Sequence, residues 1–272
     1  MDDSVRQQDT ADAATPFAGQ HALVTGGGRG IGAAIAEAMA RRGARVTLVG
    51  RTLATLERQR DHLIAACGAE AHIEAADVTD EAAVARGFGA AAERLGAPAI
   101  LVNNAGRGES VPFKRMDRAF LQRMLDINLI SAFLCTQQAL PAMIEAGYGR
   151  VVNVASTAGL IGYRYVSAYV ASKHAVIGLT RALALETATT GVTVNAVCPS
   201  YVETDMTADT IANIVEKTGT TADKARAQLV AGNPQGRMIQ PDEVANAACW
   251  LALPASGSIT GQALAVAGGE VM

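Results

Sequence analysis

Aromatic residues make up only 4% of this 272-residue sequence, while Ala, Val and Gly are abundant. Small side chains suit close packing of helices on a buried parallel sheet and speak against a β-sandwich. Long apolar runs are missing as well. The longest have strand length, far short of the roughly 20 residues of a bilayer-crossing helix. Residues 1–16 have neither the basic start nor the apolar core of a secretion signal; they read as a disordered tail. Charge of one sign is scarce too: 23 Lys plus Arg against 26 Asp plus Glu leave a net charge of -3, with no block of like charges. That removes the electrostatic footprint of nucleic-acid or anionic-membrane binding. Cysteine is limited to Cys67, Cys135, Cys198 and Cys249, without Cys-x-x-Cys spacing. They read as buried thiols of a reducing, cytoplasmic compartment. With His21, His62, His72 and His174 also scattered, no metal site is expected.

What is present is alternation. Strand-like apolar runs recur at 21–24, 45–49, 71–75, 99–102, 150–154, 192–196 and 263–266. Helix-length segments at 31–42, 53–67, 81–95 and 168–187 separate them. The pattern predicts right-handed βαβ units in a single-domain, doubly wound parallel sheet over 17–272, an α/β fold with helices on both faces. Ligands in such sheets bind beyond the carboxyl ends of the strands. Two segments break the rhythm. A long helix is predicted between 117 and 146, with Phe120, Met124, Ile127 and Leu134 as its apolar stripe. A polar, Ala-rich insertion at 204–235 reads as one or two helices forming a substrate lid.

Three constellations carry chemistry. The first strand runs into Thr25-Gly26-Gly27-Gly28-Arg29-Gly30-Ile31-Gly32, after which helical periodicity begins. Glycines there permit a tight turn and close approach to a pyrophosphate, and the helix start offers free N–H groups. The second strand ends in Val49-Gly50-Arg51-Thr52, without the carboxylate that would accept the ribose hydroxyls of NAD. Arg51 and Arg29 instead suit a 2′-phosphate, so NADP is expected, with NAD also admissible. Finally, Ser156 ends a strand, and Tyr169 and Lys173 follow four residues apart on one helix face. An ammonium beside a phenol, together with the nicotinamide's charge, lowers the phenol's pKa from about 10 toward the range of a working acid–base.

In this order the motifs resemble the short-chain dehydrogenase/reductase family, in its subfamily of roughly 250 residues. The motifs are the glycine loop at 25–32, Asp77-Val78, Asn103-Asn-Ala-Gly106, Asn128, Ser156, Tyr169-Val-Ala-Ser-Lys173 and 199–204. The resemblance implies that Gly26, Gly28, Arg29, Gly30, Ile31, Gly32 and Arg51 hold the phosphates. By it, Asp77 and Val78 flank the adenine, and Asn103, Asn104, Ala105 and Gly106 close the coenzyme cleft. Pro199, Val202 and Thr204 line the nicotinamide, and Tyr169 and Lys173 touch its ribose. Asn128, Ser156, Tyr169 and Lys173 are the implied catalytic set, Asn128 holding a relay water through its backbone. Ser156, Ala158, Tyr163, Ser200, Tyr201 and Met206 form the implied substrate pocket. Ser200 and Tyr201 replace the family's usual Gly after Pro199 and add bulk there. The segment 233–244 is similar to that of 3-ketoacyl thioester reductases, which implies a small-molecule substrate of acyl-CoA type and a homotetramer with the long helix and residues 268–272 at its interfaces. Relatives that dock acidic carrier proteins have basic residues at two places expected beside the cleft mouth. Here those places hold Glu145 and Leu185, which favours a coenzyme A thioester. A dehydrogenase of another, cyclic or aromatic, secondary alcohol and a non-catalytic redox sensor are the alternatives.

Overall fold

The computed structural model describes residues 15–272. Most of the expected tail therefore lies outside the described residues, but Thr15 and Pro16 do not. They enter a turn in which Ala18 N–H donates to Thr15 O at 2.9 Å, ahead of the fully buried Phe17.

Seven parallel strands form one sheet in the order β3-β2-β1-β4-β5-β6-β7. They are β1 (His21–Thr25), β2 (Arg45–Gly50), β3 (Ala71–Ala75), β4 (Ile100–Asn103), β5 (Gly149–Val154), β6 (Val192–Pro199) and β7 (Ala263–Val266). The two-residue period of a strand sorts their side chains between two layers. Ala22, Val24, Val46, Leu48, Ile100, Val102 and Val152 pack on one face, beneath α1 (Gly30–Ala40), α2 (Leu53–Cys67) and α9 (Pro241–Ala252). Leu23, Leu101, Val151 and Val194 pack on the other. There they meet α3 (Glu81–Leu95), α5 (Ser131–Glu145) and α6 (Ser167–Glu186). Both faces are covered, which is why β1, β4, β5 and β6 are mostly apolar and have every residue buried. From β1 the chain winds outward through β2 and β3, then returns so that β4 pairs with β1. This reversal opens the crevice in which doubly wound sheets bind their ligands.

The predicted long helix is not uniform. It comprises α4 (Arg118–Leu125), a π-helical stretch at Asp126–Ile130, and α5. Asn128 Nδ2 donates to Met124 O at 2.9 Å, and Ser131 Oγ donates to Ile127 O at 2.7 Å. These side-chain donors compete with the backbone ladder, and π-turns of this kind recur at functional sites. By length and composition Arg118–Glu145 would pass as a membrane span. Its stripe instead packs inside the fold, with Leu134, Cys135, Ala139 and Met143 buried against the sheet and α3. The insertion is a pair of helices, α7 (Asp205–Thr218) and α8 (Ala222–Val230), each with a single buried residue, Thr207 and Ala225.

Candidate active site

The coenzyme half of the site is made of backbone. Gly26 N–H donates to Val49 O at 2.7 Å, tying the glycine loop to the end of β2. A Cβ on Gly32 would lie 2.3 Å from Gly26 O and 2.4 Å from Asn104 Nδ2, so only glycine lets α1 begin this close to the loop. No side chain among the described residues caps α1, which starts at Gly30 behind an extended Arg29. By contrast, α3 is capped by Asp80 and α4 by Asp117. The uncapped N–H groups and the glycine cradle fit a pyrophosphate.

Thr25 fixes the opposite wall. Its hydroxyl accepts from Asn104 N–H and Ala105 N–H, both at 3.0 Å, while Asn104 Nδ2 donates to Thr25 O and Gly26 O at 3.0 and 3.2 Å. Val78 is buried beside this cleft, and Asp77 Oδ1 accepts from Thr79 N–H at 3.0 Å. That backbone donor, aided by the Thr79 hydroxyl and by Arg51, holds the Asp77 carboxyl below its ordinary value against the opposing effect of burial. Asp80, rather than Asp77, caps α3. Arg51 is exposed at the end of β2, near Asp77. Arg29 is exposed too and stands 3.7 Å from Asp205, the first residue of α7. Thr204, just before it, lies over the loop: a Cβ on Gly30 would meet Thr204 Cγ2 at 3.4 Å. Val202 is buried and pairs with Ile239.

The reacting half gathers at the ends of β4, β5 and β6. Ser156 starts a short 3₁₀ turn, Thr157–Gly159, where its Oγ accepts from Ala158 N–H at 3.1 Å and donates to Pro199 O at 3.4 Å. Ala158 is itself buried behind this turn. Tyr169 and Lys173 occupy the first two turns of α6, with Lys173 Nζ 5.8 Å from the centre of the Tyr169 ring. Burial pushes the Tyr169 phenol above its ordinary value; a hydrogen bond with Ser156 works the other way. Lys173 is buried and donates to Val154 O at 2.8 Å, and burial lowers its pKa to about 8. A Cβ on Gly106 would strike Asn128 Oδ1 at 2.8 Å and reach Lys173 Nζ at 3.4 Å. The loop after β4 thus lies directly on both side chains. Asn128 is engaged through its side chain, accepting from Arg107 N–H at 3.0 Å and donating to Arg107 O at 2.9 Å.

The cradle, the uncapped helix and the buried Lys173 fit NAD(P), whose phosphates would rest on 26–32 and whose nicotinamide ribose would meet Tyr169 and Lys173. All the predicted catalytic residues converge. Among the residues expected to line the pocket, Tyr163, Ser200 and Tyr201 join a cluster with Glu270, whereas Met206 stands about half exposed on α7.

Sequence reasoning missed a buried polar chain beneath the site. Asn103 Nδ2 donates to Thr136 Oγ1 at 2.9 Å and Asn153 Oδ1 at 2.8 Å, and Asn153 Nδ2 donates to Thr180 Oγ1 at 2.9 Å. It locks β4 and β5 to α5 and α6, and two asparagines inside apolar strands were its signal. Glu270, in the C-terminal segment, reaches back to Tyr163 and Ser200. One expectation needs correcting. Glu145 and Leu185, at the far ends of α5 and α6, are not beside the cleft mouth. At 1.5 Å per residue Leu185 is roughly 24 Å along the helix from Tyr169, so the two positions do not discriminate between thioester carriers.

A family model described as short chain dehydrogenase matches residues 20–214. A Streptomyces coelicolor protein provisionally named ketoacyl reductase is 40% identical over 251 residues, covering 91% of this chain and 95% of its own. Cis-4-hydroxycyclohexanecarboxylate dehydrogenase of Sinomonas cyclohexanicum is 38% identical over 263 residues, covering 93% and 97%. The crystal structure of a variant actinorhodin polyketide ketoreductase with NADPH superposes with a TM-score of 0.89 at 38% identity, covering 94% of this chain and 98% of that one. With its Ser156, Tyr169 and Lys173 assembled at the crevice of a doubly wound sheet, the chain belongs to the short-chain dehydrogenase family and is an oxidoreductase of the nicotinamide-dependent kind.

Proposed function

We propose that the enzyme reduces the ketone of a 3-ketoacyl thioester of coenzyme A to the 3-hydroxyacyl thioester, with NADPH preferred over NADH. The observation that carries this reading is the convergence of Ser156, Tyr169 and Lys173 beside the glycine cradle. NADPH, when bound, supplies the hydride. Tyr169, kept protonated at neutral pH by its burial, gives its proton to the carbonyl oxygen. Ser156 orients that oxygen by a hydrogen bond. Lys173 stabilises the phenolate that remains, and Asn128 holds the segment through which a proton returns. This proton equipment would be superfluous in a redox sensor.

Arg51 and Arg29, at a strand end without a carboxylate, support the preference for a 2′-phosphate. Support for a phosphorylated carrier comes from the exposed Lys114, Arg115 and Arg164, on two loops joined by the bond from Val111 N–H to Tyr165 O at 2.7 Å. The pair α7 and α8 serves as the substrate lid. The apolar groove of Leu160, Ile161, Trp250, Leu264, Val271 and Met272 suits an interface of a homotetramer, and four free cysteines suit a reducing cytoplasm. A cyclic ketone is the second reading, favoured by the Sinomonas relative.

The test is a panel of acetoacetyl-CoA, longer 3-ketoacyl-CoAs, acetoacetyl carrier protein and cyclic ketones, each with NADPH and NADH. The highest kcat/KM is expected for a CoA thioester with NADPH. A higher value for carrier protein that falls steeply with salt would overturn the choice of carrier, and turnover of cyclic ketones alone would overturn the substrate.

A further inference from the structure

A carboxylate that the proton chemistry does not use borders the reacting half of the site. Glu270, from the C-terminal segment, reaches back to Ser200 Oγ and, at 2.8 Å, to Tyr163 OH. The Tyr163 hydroxyl is also 2.8 Å from Thr157 Oγ1. It has one proton to give. A carboxylate can only accept, so the phenol donates to Glu270 and accepts from the Thr157 hydroxyl. The cluster adjoins the reacting half: Thr157, bonded to Tyr163, follows Ser156, and Ser200 follows Pro199, whose carbonyl accepts from Ser156. Tyr201, which follows Ser200, lies within electrostatic reach of both Glu270 and Tyr169. Residues 232–234 close over it. A Cβ on Gly232 would lie 3.2 Å from Glu270 Oε1, and one on Gly268 would strike Asn233.

We propose that Glu270 selects substrates by charge: held by Tyr163 and Ser200, it presents negative charge to the pocket, admitting neutral ketones, esters and thioesters and rejecting ketones that carry a free carboxylate. The inference rests on the ketone-reduction reading above and narrows its substrate class. A like charge brought against a fixed, partly desolvated carboxylate is a strong means of rejecting a wrong partner. A thioester removes that charge from a 3-keto acid without altering the reacting carbonyl.

The experiment measures kcat and KM with saturating NADPH for two matched pairs: ethyl acetoacetate against acetoacetate, and methyl 4-oxocyclohexanecarboxylate against its free acid. The wild-type enzyme should favour the ester by about tenfold or more in kcat/KM, chiefly through KM. Glu270→Gln, which keeps the shape and loses the charge, should raise kcat/KM for the acid relative to the ester and bring the ratio of the two toward one. Glu270→Asp keeps the charge and should keep the preference. Equal use of acid and ester by the wild-type enzyme overturns the proposal without any variant. So does an ester preference that survives Glu270→Gln undiminished. Equal turnover of both acetoacetate partners removes the role of Glu270 and leaves 3-ketoacyl reduction standing. Turnover of the cyclic pair alone, with its ester preferred, does the reverse.

Discussion

The two halves of the site are built by opposite means. The coenzyme half consists of backbone and absent side chains, drawn from the ends of β1, β2 and β4 and the start of α1. Its closest approach, Gly32 to Gly26 O and Asn104 Nδ2, is defined by what a Cβ would strike. The proposed substrate half draws side chains from distant segments. Tyr163 meets Glu270 across 107 residues, and Ser200 meets it across 70. A phosphate is alike in every nucleotide and can be held by a short, fixed loop. A substrate is particular, and its pocket is assembled from pieces that vary independently on a common scaffold.

If the halves are separable, substitutions should split binding from chemistry. The largest effect is expected for Tyr169→Phe, which removes the transferable proton. Turnover should fall by roughly two to four orders of magnitude, the usual weight of general acid–base catalysis, while NADPH affinity measured by fluorescence titration stays near the wild-type value. In the other half, Gly32→Ala drives a methyl into the Gly26 carbonyl, a backbone atom that cannot step aside. NADPH affinity should drop by about a hundredfold and the fold should lose roughly 1–3 kcal/mol, the cost of overpacking, in urea denaturation.

Lys173 belongs to both halves, and its burial has a cost. Its pKa is lowered from 10.5 to about 8, so the folded chain binds fewer protons than the unfolded one between those values. The depressed group favours folding above about pH 10.5, and that contribution is lost as pH falls through about 8. Lys173→Met should therefore stabilise the coenzyme-free protein at pH 7 by up to about 3 kcal/mol, at 1.36 kcal/mol per unit, while abolishing turnover. A thermal melt beside an activity assay checks both. The smallest effect is expected for Arg51→Ala. It should raise KM for NADPH by about tenfold, the scale of one charge-assisted hydrogen bond, and leave KM for NADH unchanged.

The same division governs what could be read from the sequence. Seven strands emerged from apolar runs because both faces of the sheet are covered, and the glycine loop and the Tyr169/Lys173 pair emerged because their spacing is local. Three features did not. The π-turn at Asn128 depends on side-chain donors turning onto backbone carbonyls. The chain through Asn103 and Asn153 depends on strand register. The inward turn of Glu270 depends on Gly268 and Gly269, with φ of 60° and 94°, bending the terminus around Asn233 and Pro234. Leu185 misled for a geometric reason: it shares a helix with Tyr169 but sits at its opposite end.

The most direct measurement of the proposed chemistry is the pH dependence of kcat/KM for acetoacetyl-CoA reduction with saturating NADPH. Burial holds the Tyr169 phenol protonated through neutral pH. Reduction should therefore be level there and decline in the alkaline range, from about pH 8, where Lys173 begins to lose its proton. The residual rate of Tyr169→Phe should show no loss of a phenolic proton. Reduction that accelerates as pH rises, or an unaltered decline and rate in Tyr169→Phe, would contradict Tyr169 as the acid.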